Sequence, residues 1–445
     1  MNARDMRYLP LPFRPSATKE NNMYSQFQNE EVLKRTSEKI TERITMQHKL
    51  IDEICESNQL KVLRAFQNNQ VGDHHFHPST GYGYDDSGRD TLEKVYADVF
   101  GAEAAIVRPQ IISGTHAITL SLFGMLRPGD ELLYMTGKPY DTLEEIVGIR
   151  GTGEGSLKDY NISYQHVDLT SEGAINFTEV QRAISEKTKV IGIQRSKGYA
   201  DRPSFTVTEI EEMISFVKEI KSDVIVFVDN CYGEFVEERE PIEAGADIIA
   251  GSLIKNPGGG LAKTGGYIAG KEKLVNRISY RLTSPGIGRE AGASLYSLQE
   301  MYQGFFLAPH VTAQALKGAV FTAAFLEELG METRPSYDAK RTDLIQSVIF
   351  NDRERMIKFC QAIQKASPIN SYAIPYPDYM PGYEDDVIMA AGTFIQGASI
   401  ELTADGPIRP PYIAFVQGGL TYEHVKIAVL SAADELLTHG LINKR

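Results

Sequence analysis

The chain has 445 residues, 42% hydrophobic and 24% charged, an ordinary globular balance with length enough for one large and one small core. Its net charge of −13 argues against nucleic acid or an anionic membrane as the main partner, and no apolar run is long enough to span a bilayer. Three widely spaced cysteines, Cys55, Cys231 and Cys360, make neither a disulfide framework nor a metal-site spacing, so a reduced, cytoplasmic setting is the simple reading.

Residues 1–25 carry prolines and charges where a signal peptide would have an apolar core, and read as a loosely ordered arm. Leu33, Ile40, Ile44, Ile51 and Ile54 then recur at helical spacing and predict a helix. The glycine- and aromatic-rich stretch "GDHHFHPSTGYGYDDSG" reads as loop. Asp90 is placed to cap the helix that follows, with Glu93 completing a capping box.

From about residue 104, short apolar runs alternate with helical stretches. The runs are "AAIVRPQ" (104–110), "ELLYM" (131–135), "ISYQHV" (162–167), "VIGIQR" (190–195), "VIVFVDN" (224–230), "DIIAGSL" (247–253) and "GGYIAG" (265–270). This alternation predicts an α/β fold with a mostly parallel seven-stranded sheet and helices on both faces. Long helical regions follow at about 290–330 and 350–366. Then come "DVIMAAGTFIQ", "SIELTAD", "YIAFVQGG" and a helix from Tyr422, which suggest a smaller α+β domain. The expected division is 1–65 for arm and helix, 66–330 for the large domain and 331–445 for the small one.

In such sheets ligands sit beyond the carboxyl ends of the strands, where Asp229 and Lys255 fall. An isolated aspartate there reads as a cap or a partner for a basic group, and an isolated lysine as a surface residue. Together, one strand apart at one sheet edge, they are the arrangement that pyridoxal phosphate needs. The acid keeps the pyridine nitrogen protonated, and the lysine holds the aldehyde as a Schiff base and moves protons. Three further features agree. In "SGTHAI" (113–118), the hydroxyls of Ser113 and Thr115 and the N–H groups of the helix start, Gly114 included, suit a phosphate. Ser252, three residues before Lys255, adds a hydroxyl, and the glycines after Lys255 let the chain pass close by. Tyr140, after the second strand, can stack on the ring or simply pack in its turn.

Other features carry less. The histidines of "DHHFHPS" lack a cysteine or carboxylate at a ligand spacing, so no metal is expected. "GTGEGSLK" (151–158) lacks the order of a nucleotide-binding loop. Cys231 reads as an inert thiol lining the back of the cofactor pocket.

The order of glycine-rich helix start, aromatic, strand-end "VDN" and S-x-x-K resembles the fold-type-I (aspartate-aminotransferase-like) pyridoxal-phosphate enzymes. More narrowly, "GYGYDDSGRDTLEKVYADVFGAE", "RPQIISGTHAI" and "LIKNPGGGLAKTGGYIAG" resemble the aluminium-resistance family related to cystathionine β-lyase and methionine γ-lyase, over most of the chain from about residue 60 onward. The resemblance implies Lys255 as the Schiff-base lysine, Asp229 as the pyridine-nitrogen partner and Tyr140 as the stacking residue. It implies Arg409, in "GPIRPPYIAFVQGG", as the holder of the substrate α-carboxylate, against a plain reading as a solvated loop arginine. Tyr82 and Tyr84 lie where related enzymes send a tyrosine into the neighbouring subunit's phosphate site. The relatives' Tyr-x-Arg is not present as such, and both tyrosines stand as candidates.

The implied activity is β- or γ-elimination from a sulfur amino acid, cystathionine- or methionine-like, in a homodimer or homotetramer with shared active sites. An aminotransferase is the alternative on the same scaffold. A non-catalytic stress-response protein that keeps the fold is the alternative of another class, and the intact lysine, aspartate and phosphate loop argue against it.

Overall fold

The computed structural model describes residues 22–442. The expected arm therefore lies outside the described residues except at its end, where Met23–Gln26 makes one 3-10 turn capped by Asn22. The apolar repeat beyond it forms two helices rather than one, Glu30–Arg43 and Thr45–Asn68, broken at Ile44. Leu33, Ile40, Ile44 and Ile51 are buried in the core that includes the long helix Leu298–Glu328, while Ile54 is half-buried. The second helix runs three residues past the boundary expected at 65.

The helix Ser87–Phe100 corrects one expectation. Its cap is Asp86, whose carboxylate accepts the Arg89 N–H at 2.9 Å, and Asp90 sits inside the first turn. Glu93 completes no capping box. It is 1% exposed and takes the Arg108 Nε–H at 2.7 Å and the Val107 N–H at 3.2 Å. Asp86 offers a cap one turn earlier, and a carboxylate buried at residue 93 needs the cation that the next strand supplies.

All seven apolar runs contain strands: β1 (Ala104–Arg108), β2 (Glu131–Tyr134), β3 (Ser163–His166), β4 (Thr188–Gln194), β5 (Ile225–Asp229), β6 (Ile248–Ser252) and β7 (Gly266–Gly270). They form one sheet in the order β1-β7-β6-β5-β4-β2-β3. The neighbours from β3 to β6 pair in parallel, and β7 is antiparallel to both β1 and β6. Parallel strands covered on both faces must be apolar on both, and every residue of β5 and β6 is buried. Asp229 ends β5 level with Ala250, so Ser252 stands two residues further toward the same sheet edge.

A second sheet holds β8 (Glu332–Arg334), β9 (Gln346–Ile349), β10 (Val387–Ala390), β11 (Thr403–Pro407) and β12 (Ile413–Gln417), all antiparallel in the order β10-β11-β12-β9-β8. No apolar run marks β8, and β9 opens on polar residues that are nonetheless buried. Of the run at 399–405 only the part from Thr403 onward is strand. The helices Arg353–Lys365 and Tyr422–Thr438 pack together and contribute to the core of this sheet. The fold is thus α/β with a smaller α+β unit after the long helix.

No helix among the described residues is long and apolar enough to cross a membrane. Among them, too, no three His, Cys, Asp or Glu side chains gather as metal ligands. His75, from the histidine-rich stretch, accepts the Gly72 N–H on Nδ1 at 3.0 Å and meets the Thr91 hydroxyl at 3.3 Å through its other ring nitrogen.

Candidate active site

Ser113, Gly114, Thr115, Tyr140, Asp229, Ser252 and Lys255 line one cavity of about 250 Å³. The sheet edge accounts for the convergence. β5 delivers Asp229, β6 delivers Ser252 and then Lys255, and the chain after β1 turns through Ser113 into the helix Gly114–Met125. That turn is tight. A side-chain carbon added at Gly114 would sit 3.1 Å from Cys231 Sγ and 3.4 Å from Ser252 Cβ, so a larger residue here would have to push Cys231 back by a few tenths of an ångström.

The helix start is rich in donors. Its first-turn N–H groups have no intrahelical acceptor. The Ser113 oxygen accepts the His116 N–H at 3.0 Å, and the Ser252 oxygen accepts the Ile254 N–H at 3.3 Å. Each hydroxyl spends its oxygen on backbone and keeps its proton to give to an anion. Thr115 shares a 3.0 Å hydroxyl–hydroxyl bond with Thr142.

Asp229 is 6% exposed, and its Oδ1 accepts the Cys231 N–H at 3.1 Å. Burial pushes its carboxyl above the ordinary value, only partly offset by that hydrogen bond and by the charges of Lys255 and Arg202. Neither these two nor any other lysine or arginine among the described residues makes an ion pair with it. Lys255 Nζ lies 3.4 Å from the centre of the Tyr232 ring, a cation–π contact. Cys231 lines the same cavity, and burial drives its thiol well above the usual range, which keeps it protonated and inert.

Tyr140 joins this cavity to a second, of about 240 Å³. Tyr140, Gln194, Tyr199 and Tyr383 line both, and the hydroxyls of Tyr140 and Tyr383 are hydrogen-bonded to each other. Burial holds the Tyr140 phenol well above its ordinary pKa. Arg409 lines only the second cavity. Its guanidinium is half-exposed and bonds Asp385 Oδ2 at 3.1 Å. Tyr82 and Tyr84 lie outside both, exposed and stacked on each other with ring centres 5.3 Å apart.

Sequence reasoning missed two groups. Thr403, Asp405 and Gln417 line the Lys255 cavity from the second sheet. The other is a buried polar cluster behind Asp229. Arg195, wholly buried, meets Asn230 Oδ1 at 2.9 Å, Glu237 at 3.1 Å and Glu240 at 3.4 Å, and its N–H bonds the Asp229 carbonyl at 3.1 Å. "EFVEEREP" looks like a solvated acidic loop, yet Glu234 and Glu240 are at most 1% exposed. The one signal was an arginine closing an otherwise apolar run in "VIGIQR", which demands buried acids somewhere.

The sequence profile of the methionine gamma-lyase family matches residues 33–437. The chain belongs to that family. An uncharacterised Bacillus subtilis protein, YnbB, is 70% identical across 94% of this chain and all of its own length. A Listeria monocytogenes structure, named provisionally as a cystathionine beta-lyase involved in aluminium resistance, is 69% identical, covers 91% of this chain and all of its own, and superposes with a TM-score of 0.89. A carbon–sulfur lyase involved in aluminium resistance from Clostridium novyi is 49% identical, covers 92% of this chain and 96% of its own, with a TM-score of 0.88. The chain is a lyase dependent on pyridoxal 5′-phosphate, as the sequence resemblance implied. The cavity fits that cofactor. It offers donors for a phosphate, a buried acid in want of a cation, and an amine for an aldehyde.

Proposed function

We propose that this lyase cleaves a carbon–sulfur bond, eliminating thiol from the Cβ or Cγ of a sulfur amino acid. The observation that carries this reading is the Lys255 amine, the buried Asp229 carboxylate and the helix-start donors lining one cavity beneath Tyr140 and Tyr383. The kinship with a carbon–sulfur lyase supports the bond cleaved.

When bound, the cofactor supplies an electron sink for the charge that develops at Cα. Ser113, the N–H groups of Gly114 and Thr115, and Ser252 would hold its phosphate at the positive end of the helix. Asp229 would keep its ring nitrogen protonated, which also gives the buried carboxylate its missing cation. Lys255 would hold it covalently, then take the α-proton as a free amine. Tyr140 would cover its ring. Because burial keeps the Tyr140 phenol protonated, it has a proton to pass to the departing sulfur, with Tyr383 bonded behind it.

The test is chemical. Cystathionine, methionine or cysteine should yield thiol, keto acid and ammonia with no keto acid added. Turnover that requires a keto-acid acceptor and releases no ammonia would replace this reading with an aminotransferase.

Arg409 is the candidate for the substrate α-carboxylate, and its guanidinium bonds the carboxylate of Asp385 through Nη1 at 3.1 Å. Arg409→Ala is expected to raise KM about 10-fold with little change in kcat, the lower end for a charge-assisted bond because the side chain is half-exposed. Unchanged KM and an unchanged spectral response to amino acids would remove it from the site.

The exposed Tyr82–Tyr84 stack supports a further proposal, that it completes the phosphate site of a neighbouring subunit in a homodimer or homotetramer. Mixing Lys255→Ala protein with a Tyr82→Ala/Tyr84→Ala protein should then restore activity in hybrids, since one site receives both intact parts. A fully active monomer in sedimentation would end this proposal.

A further inference from the structure

The second sheet sends three polar side chains into the Lys255 cavity. Side chains alternate along a strand. On β11, Ala404 enters the small-unit core, so Thr403 and Asp405 face the other way, into the cavity. Gln417 on β12 is the register partner of Thr403 and lines the cavity beside it. All three are nearly solvent-free, Asp405 at 4% exposure.

Their hydrogen bonds leave a defined surplus. Gln417 Nε2 donates to Asp405 Oδ1 at 2.7 Å, and the Tyr199 hydroxyl also bonds the carboxylate. A carboxylate can only accept, so this bond fixes the amide orientation and leaves Gln417 Oε1 as an acceptor. Gln417 Oε1 and Thr403 Oγ1 are both buried with no partner. Burial raises the Asp405 carboxyl to about 6, against the bonds from Tyr199 and Gln417 and the charge of Lys255, which pull it down; a substrate ammonium beside it would favour the carboxylate in the same way as Lys255 does. Among the described residues lining this cavity, Lys255 is the single lysine or arginine. With that amine committed to the cofactor, Asp405, Gln417 Oε1 and Thr403 Oγ1 form an acceptor-rich patch with no remaining lysine or arginine among the residues lining the cavity. An ammonium group brings three N–H donors and one positive charge.

We propose that Asp405, with Gln417 and Thr403, is the specificity-determining site for the far end of the substrate side chain and receives an ammonium group there. The preferred sulfur amino acids then carry a second amino group beyond the sulfur. This rests on the carbon–sulfur lyase reading for the reaction, but not for the binding preference.

The test compares S-(2-aminoethyl)-L-cysteine with S-propyl-L-cysteine, two thioethers of one size that differ in a terminal ammonium or methyl. Binding is read from the change each causes in the absorbance of the cofactor-loaded enzyme, and cleavage from thiol and pyruvate. The enzyme is expected to bind the aminoethyl compound about 10- to 100-fold more tightly, the scale of one charge-assisted hydrogen bond. In Asp405→Asn that ratio should collapse toward one. Thr403→Val, which spares the carboxylate, should reduce it by less and in the same direction, and it serves if the Asp405 variant fails to fold. No preference in the parent enzyme overturns the proposal, as does a ratio that survives in the variants. If the preference is present and neither compound releases thiol, the selector stands and elimination at Cβ falls. If thiol is released without preference, the elimination reading stands and the selector falls.

Discussion

Lys255→Ala is expected to abolish turnover and the visible absorbance of the cofactor-loaded protein together. A general base alone is worth about 10²–10⁴ in rate, and this residue would also hold the cofactor, so the loss of kcat should exceed about 10³-fold. The prediction follows from the amine's place in the cavity shared with Asp229, Ser113 and Ser252. The measurement is an absorbance spectrum, followed by borohydride reduction and mass determination of the trapped protein. The competing amine is Lys197, whose pKa burial lowers to about 8, making it reactive at moderate pH. It is tied to the Arg334 carbonyl and the Ser347 hydroxyl, each at 3.1 Å, and lines the adjoining cavity instead. A covalently trapped cofactor in the Lys255 variant would transfer the role to another lysine, and Lys197→Met would then be the variant to lose it.

Asp229→Asn should separate stability from activity. The amide can still accept the Cys231 N–H but carries no charge for the ring nitrogen. Removing a buried electrostatic partner of the developing charge costs on the order of 10²–10³ in kcat. Stability should move the other way. Burial raises the folded-state pKa of Asp229 above its unfolded value of about 3.9. The folded protein therefore holds this proton more tightly than the unfolded chain does. The carboxylate costs stability as pH climbs from the unfolded pKa through the raised one, and the full cost applies above it. Cofactor-free Asp229→Asn should accordingly melt at or above the parent temperature at pH 7, with the difference shrinking on acidification. A parent-like kcat in the variant would show that Asp229 does not serve the ring nitrogen.

The sheet was legible because parallel strands covered on both faces must be apolar throughout. "VIVFVDN" and "DIIAGSL" therefore stand out, and the polar residues at the ends of their strands, Asp229 and Ser252, mark the edge where function gathers. The small unit was less legible for the converse reason. β8 is three residues with only the middle one buried, and β9 starts with Gln346 and Ser347, polar yet buried because they meet partners on other segments. The capping error at Asp90 has the same root. Local chemistry allowed two caps one turn apart, and the Glu93–Arg108 pair, formed between a helix and the following strand, took the side chain the second one required.

Sequence by itself determined the residues that belong to a chain turn or a strand end: Ser113, Gly114 and Thr115 at a helix start, Asp229 and Ser252 at strand ends, and Lys255 three residues on. Such residues are positioned by their own element, so spacing is enough to find them. Only the tertiary structure decided which distant segments close over them. It set Tyr383 against Tyr140, turned Thr403, Asp405 and Gln417 from the second sheet toward Lys255, and left Arg409 with Asp385 in the neighbouring cavity. It also buried the acids of "EFVEEREP" around Arg195. Pairings of this kind satisfy charge and hydrogen bonds between segments that lie from 24 to 243 residues apart. No local pattern encodes them, because the desolvation that selects the partners exists only once the chain has packed.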